Sequence, residues 1–159
     1  MDKAAEIIAE LQTSYAMELE TFQNYLANSV FLDGAPAEKI KRSLAGEIEI
    51  VLRHARQIAK RIKVLGGRVP GSLELSRNQD LIQPPLYSTD FISVIKGVIH
   101  VQEAAITQYQ KIIKLCDAFD FVTQDIIIEL VSDEREHRRR FLGFLAEHTG
   151  HLTQEATGD

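Results

Sequence analysis

Glu134 and His137 lie three residues apart in the last helical-patterned stretch of the chain, inside Asp133-Glu134-Arg135-Glu136-His137. At helical spacing Ile127, Leu130, Glu134, His137, Phe141 and Phe144 fall on one stripe, so an acid and an imidazole interrupt an apolar seam. A buried carboxylate without a partner loses several kcal/mol of hydration, roughly, and coordination to a cation offsets that loss for a Glu and a His together. Taken alone, Glu-x-x-His is a short motif that is more often a solvated charged face on an amphipathic helix. The same interruption recurs elsewhere. Glu18 stands among Leu11, Tyr15, Phe22 and Tyr25; Glu47 and His54 stand among Ile40, Leu44, Val51, Ile58 and Leu65; Glu103 stands among Ile92, Ile99, Ile106 and Ile113.

Four elements must position these side chains. Apolar spacing of alternating threes and fours predicts helices over 2–29, 37–65, 90–115 and from 119 to 147. Leu32-Asp33-Gly34-Ala35-Pro36 breaks the first from the second, and Gly66-Gly67 stops the second. The short first turn predicts antiparallel packing. Residues 66–88 hold three of the four prolines and no sustained periodicity, which fits a crossover along the length of a bundle, with Ser88 or Thr89 capping the third helix. The expected class is all-α: an antiparallel four-helix bundle with one long crossover, a single domain over 1–159, with residues 148–159 either a short fifth helix or frayed. Glu18, His54, Glu103, Glu134 and His137 each sit near the middle of their helix, so helices of similar length bring all five to one level. Glu20 should face water, and His100, three residues before Glu103, should support a ligand from behind or lie at the periphery rather than coordinate.

Composition narrows the function classes. A single cysteine, Cys116, excludes an internal disulfide framework, and no apolar run is long enough for a membrane span or a signal-peptide core, so a cytoplasmic protein is expected. A net charge of −5 argues against nucleic acid as a partner, and Arg138-Arg139-Arg140 reads as an exposed helix face.

Glu18-Leu19-Glu20-Thr21-Phe22-Gln23-Asn24-Tyr25 resembles the first-helix signature of bacterioferritins. Asp125-Ile126-Ile127-Ile128-Glu129-Leu130 leading into Asp133-Glu134-Arg135-Glu136-His137 resembles their fourth helix, and His54-Ala55 with Ile62 and Leu65-Gly66-Gly67 is similar to the end of their second. In ferritin-like di-metal carboxylate bundles two helices each supply a Glu and two supply Glu-x-x-His. The resemblance implies that Glu18, His54 and Glu134 hold one metal, while Glu103, His137 and a bridging Glu134 hold the other. Carboxylates and imidazoles suit iron, with Mn or Zn as alternatives. It further implies oxidation of Fe(II) by dioxygen or peroxide, storage of the product inside a homo-oligomeric shell, Tyr25 hydrogen-bonding a ligand carboxylate and Asp133 orienting His54.

Two departures qualify that picture. Val51 stands three residues before His54, where the family carries a second bridging glutamate, and Leu52 stands where its haem-ligating methionine would be, which closes that route to haem. Glu47 lies one turn from Val51, roughly 6 Å along the axis. It is too far to bridge, yet within reach of a shifted metal, of ions in transit, or of solvent. Two other readings follow: a structural or regulatory ferritin-like subunit with a weakened or mononuclear site, and a rubrerythrin-like oxidase, against which the lack of any Cys-x-x-Cys segment counts.

Overall fold

The computed structural model describes residues 2–150. Four helices carry the chain: α1 (Lys3–Phe31), α2 (Glu38–Val64), α3 (Phe91–Cys116) and α4 (Phe121–Thr149). Single 3-10 turns at Ala35–Ala37, Ser72–Glu74 and Asp80–Ile82 punctuate the connections, and no strand occurs among the described residues. Each helix begins and ends within about two residues of the position its apolar spacing predicts. Asp2, Asp90 and Asp120 cap α1, α3 and α4, each carboxylate accepting a first-turn backbone N–H at 3.0–3.2 Å. Asp90 thus takes the role expected of Ser88 or Thr89. It is the residue immediately before the helix, and its negative charge also complements the positive end of the helix dipole. Residues 151–159, where a fifth helix was one expectation, lie outside the described residues.

Contacts between helices fix their directions. Along α2 and α4 the partners run Lys39 with Glu147, Glu47 with Arg140, His54 with Asp133 and Arg61 with Asp120, so one helix ascends as the other descends. Gln108 and Lys111 on α3 bond Glu10 near the start of α1, while Tyr109 meets Glu18 about two turns further along. The short turns make α1/α2 and α3/α4 antiparallel neighbours, and the long crossover lets α3 run parallel to α2 across the bundle. Among the described residues no helix is long and apolar enough to cross a membrane.

The crossover is held to α1 by polar groups. Glu20, expected to face water, is buried and accepts backbone N–H bonds from Asn78 (2.9 Å) and Gln79 (2.8 Å). Asn28 donates to the Ile82 carbonyl at 2.8 Å, and Gln79 donates to Thr21 at 2.8 Å. Around the helix Glu20 does lie away from the core seam; what covers it is the loop, whose unpaired amides need an acceptor. Gly97 admits the same crossover to α3, since a Cβ there would stand 2.3 Å from the Leu81 carbonyl oxygen. Glu20→Ala is expected to lower stability by about 2 kcal/mol and Tm by about 4–8 °C. Hydrogen exchange at residues 76–80 should rise with it, and unchanged exchange there would contradict the pinning role.

The apolar interior is divided. One cluster joins Leu32, Ile40, Leu44, Val51, Ile95, Val98 and Phe141. The other joins Ile7, Leu11, Ile58, Ile62, Ile112, Ile127 and Leu130. Between them, in chain position on every helix, come the buried polar residues Glu18, His54, Gln102, Glu134 and His137.

Candidate metal centre

Seam positions on α1, α2 and α4 turn Glu18, His54 and Glu134 into that layer, where their side chains are 3 %, 0 % and 7 % exposed. One donor atom from each lies within 4.8 Å of the others, and among the described residues no other group of three His, Cys, Asp or Glu residues packs so closely. His54 Nδ1 stands 3.4 Å from a Glu134 oxygen and 3.7 Å from Glu18 Oε2. His54 Nε2 is 2.8 Å from Asp133, whose carboxylate also takes a 2.9 Å bond from Arg53. Asp133 is thus placed to orient the ring: with Nε2–H donating to it, Nδ1 is aimed at the two glutamates.

Glu18 is held from the far side by the Tyr109 hydroxyl, which donates to its Oε1. Burial, reinforced by the Glu18 and Glu134 charges, raises the Tyr109 phenol well above its ordinary pKa, so it remains a donor. Tyr25 is also fully buried, and burial with the Glu134, Glu47 and Glu18 charges raises it likewise. Burial raises Glu134 to about 7, with the Glu18 charge adding to the rise and His54 opposing it. For His54 burial acts downward, but the Glu134 and Glu18 carboxylates facing Nδ1, and then the hydrogen bond to Asp133, prevail and raise it to about 10.

Glu103 does not join the site. Its side chain is 49 % exposed and receives Arg138 at 3.0 Å, while Gln102, one residue earlier and fully buried, takes the inward position. The buried residues of α3 follow Ile95, Val98, Gln102, Ala105, Tyr109, Ile112 and Cys116, about 100° round the helix from the stripe that contains Glu103. That alternation of threes and fours is unbroken in the sequence, whereas the Glu103 stripe passes through Lys96 and Gln110. It is the signal that would have found Gln102 and Tyr109. His100 is exposed, as expected, in a surface cleft with Met17 and Gln79.

His137 is buried in the interior, but its Nδ1 lies 2.5 Å from Glu47 Oε2. Glu47 itself is only 1 % exposed, so it is neither a solvent-reaching acid nor in the place of Val51. The structure thus brings together three of the five expected ligands and pairs the other two with Glu47 and Arg138.

The three-residue cluster fits a divalent cation. Glu18 Oε2 and His54 Nδ1 are buried with no hydrogen-bond partner, a costly state that a cation among one nitrogen and two carboxylate donors relieves. A four-helix bundle with one long crossover that turns carboxylates and a histidine inward has the ferritin-like architecture.

Comparison with known proteins agrees. Residues 8–149 match the family model of the ferritin-like domain, and the chain belongs to that family. It is 26 % identical over 137 residues to a bacterioferritin of Desulfovibrio desulfuricans, covering 86 % of this chain and 72 % of that one. The solved structure of a D. desulfuricans bacterioferritin superposes with a TM-score of 0.80 at 20 % identity, covering 98 % of this chain and 86 % of that one. A dodecameric thioferritin from Bacteroides fragilis gives 0.80 at 22 % identity, over 92 % and 88 % of the two chains. A ferritin-like, diiron-carboxylate protein from Bacillus anthracis gives 0.79 at 18 %, over 91 % and 99 %.

Proposed function

We propose that this chain binds Fe(II) at Glu18, His54 and Glu134, that the bound iron is oxidised by dioxygen, and that the product is stored or detoxified within a shell of identical subunits in the cytoplasm. The observation that carries the reading is the buried, partnerless pair Glu18 Oε2 and His54 Nδ1, facing one another with Glu134 inside a ferritin-like bundle. Asp133 holds the ring so that Nδ1 faces the iron, Tyr109 holds Glu18, and the apolar clusters on either side exclude water. In the overall balance four Fe(II) lose one electron each, and one dioxygen takes the four electrons with four protons to give two waters. The dodecameric relative from B. fragilis supports assembly as part of the proposal.

Val51 and the neutral Gln102 favour a second reading, a subunit with a mononuclear site that relies on a catalytic partner for oxidation. Anaerobic titration with Fe(II), followed by admission of air, separates the two. The first reading expects growth of near-ultraviolet ferric absorbance well above a buffer control, lost in Glu18→Gln. Tight Fe(II) binding without such growth selects the second, and no binding removes both.

A further inference from the structure

A second, unlike cluster adjoins the polar layer at His137. Glu47 Oε1 accepts a hydrogen bond from Arg140 Nη1 at 3.1 Å, and its other oxygen lies 2.5 Å from His137 Nδ1. The other two inward positions in question carry no charge: Val51 is buried in the first apolar cluster and Gln102 is a buried, uncharged amide. We propose that the Arg140–Glu47–His137 cluster takes the place of a second cation, so that each chain holds one divalent cation, at Glu18, His54 and Glu134. This rests on the iron-binding reading above and goes beyond it.

The two clusters differ in charge and in the number of donor residues they bring together. Glu18 and Glu134 are two buried carboxylates sharing the single imidazole of His54, so a dication adds the charge that the cluster lacks. Glu47 is one buried carboxylate already matched by the Arg140 guanidinium, which is permanently charged. A dication at Glu47 and His137 would stand beside that guanidinium in a medium that screens poorly. The nitrogen of His137 that faces the interior is already against Glu47. No third His, Cys, Asp or Glu donor completes that group among the described residues. Arg140 reaches in from the surface, 44 % exposed, so a neutral replacement there leaves the apolar packing intact.

Co(II) under argon is the probe, with bound metal measured after equilibrium dialysis and the ligand-field bands followed in parallel. Wild-type protein is expected to bind one Co(II) per chain, any second at least a hundredfold more weakly. Arg140→Gln should tighten the second event at least tenfold, because Glu47 and His137 are then left with uncompensated negative charge. His137→Ala should leave the first event within about threefold. Two comparable Co(II) per wild-type chain, or tenfold weaker binding of the first on His137→Ala, would overturn the proposal while leaving the iron-binding reading standing. A second event unchanged by Arg140→Gln would overturn the role given to the guanidinium. Failure to bind any Co(II) would sink the iron-binding reading and this inference with it.

Discussion

His54→Ala is expected to weaken divalent-cation binding at least a hundredfold and to destabilise the metal-free protein by about 3–5 kcal/mol. Both effects have one source. The imidazole is the sole nitrogen donor in the cluster and also the group against which Glu18 and Glu134 are buried, at 3.7 and 3.4 Å. Alanine leaves two carboxylates facing each other at the level where the apolar clusters meet, and Glu134, already raised to about 7, must take up a proton for the bundle to stay closed. Asp133→Asn makes an instructive contrast. It keeps the ring but exchanges a charged acceptor at Nε2 for a neutral amide, and the expected loss is about 10–100-fold in cation affinity. Denaturant melts of the metal-free proteins, with Co(II) titrations of the same samples, check these expectations. A His54→Ala protein with wild-type affinity would show that the cluster is not the cation site.

The second large effect is a pair of opposite pH dependences. His54 has its pKa raised from 6.5 to about 10 in the folded chain, so the stability it contributes is complete below pH 6.5 and is lost as pH climbs through about 10. Glu134 is raised from 4.5 to about 7, which likewise favours the folded chain most below pH 4.5 and loses that advantage as pH climbs through about 7. Asp133 works the other way, being lowered by its hydrogen bond to His54 and the charges of His54 and Arg53 despite burial, but its contribution is already complete at these pH values. Metal-free protein should therefore lose stability from about pH 5 to pH 10, by an amount on the order of 4 kcal/mol for His54 alone. Cation binding has the opposite sign, because the proton on His54 Nδ1 and any proton on Glu134 must leave before those atoms can coordinate. Co(II) affinity should rise at least tenfold from pH 6 to pH 7.5. Affinity that is flat over that interval would separate the cation from these two groups.

The periodicity of α1, α2 and α4 was enough to bring Glu18, His54 and Glu134 together, since on each of these helices a single seam of bulky residues fixes which side is buried. On α3 it was not enough. Ile92, Val94, Ile95, Val98, Ile99 and Val101 spread apolar surface over a wide arc, so two phases 100° apart compete, and the neighbours choose Gln102 over Glu103. Glu20 was misjudged for a related reason. The angle around α1 placed it off the seam, but only the path of the crossover turns that side of the helix into an interior surface.

By itself, then, the sequence determined four helices, their order and the long connection, and three inward polar side chains at one height, because these depend on spacing within single helices and on turn residues between them. The tertiary structure alone decided the rotation of α3, the burial of Glu20, and the pairing of His137 with Glu47 beneath Arg140. Those are matters of which side chain on one helix answers the charge on another, and residues 47, 137 and 140 carry no spacing signal that joins them before the helices pack.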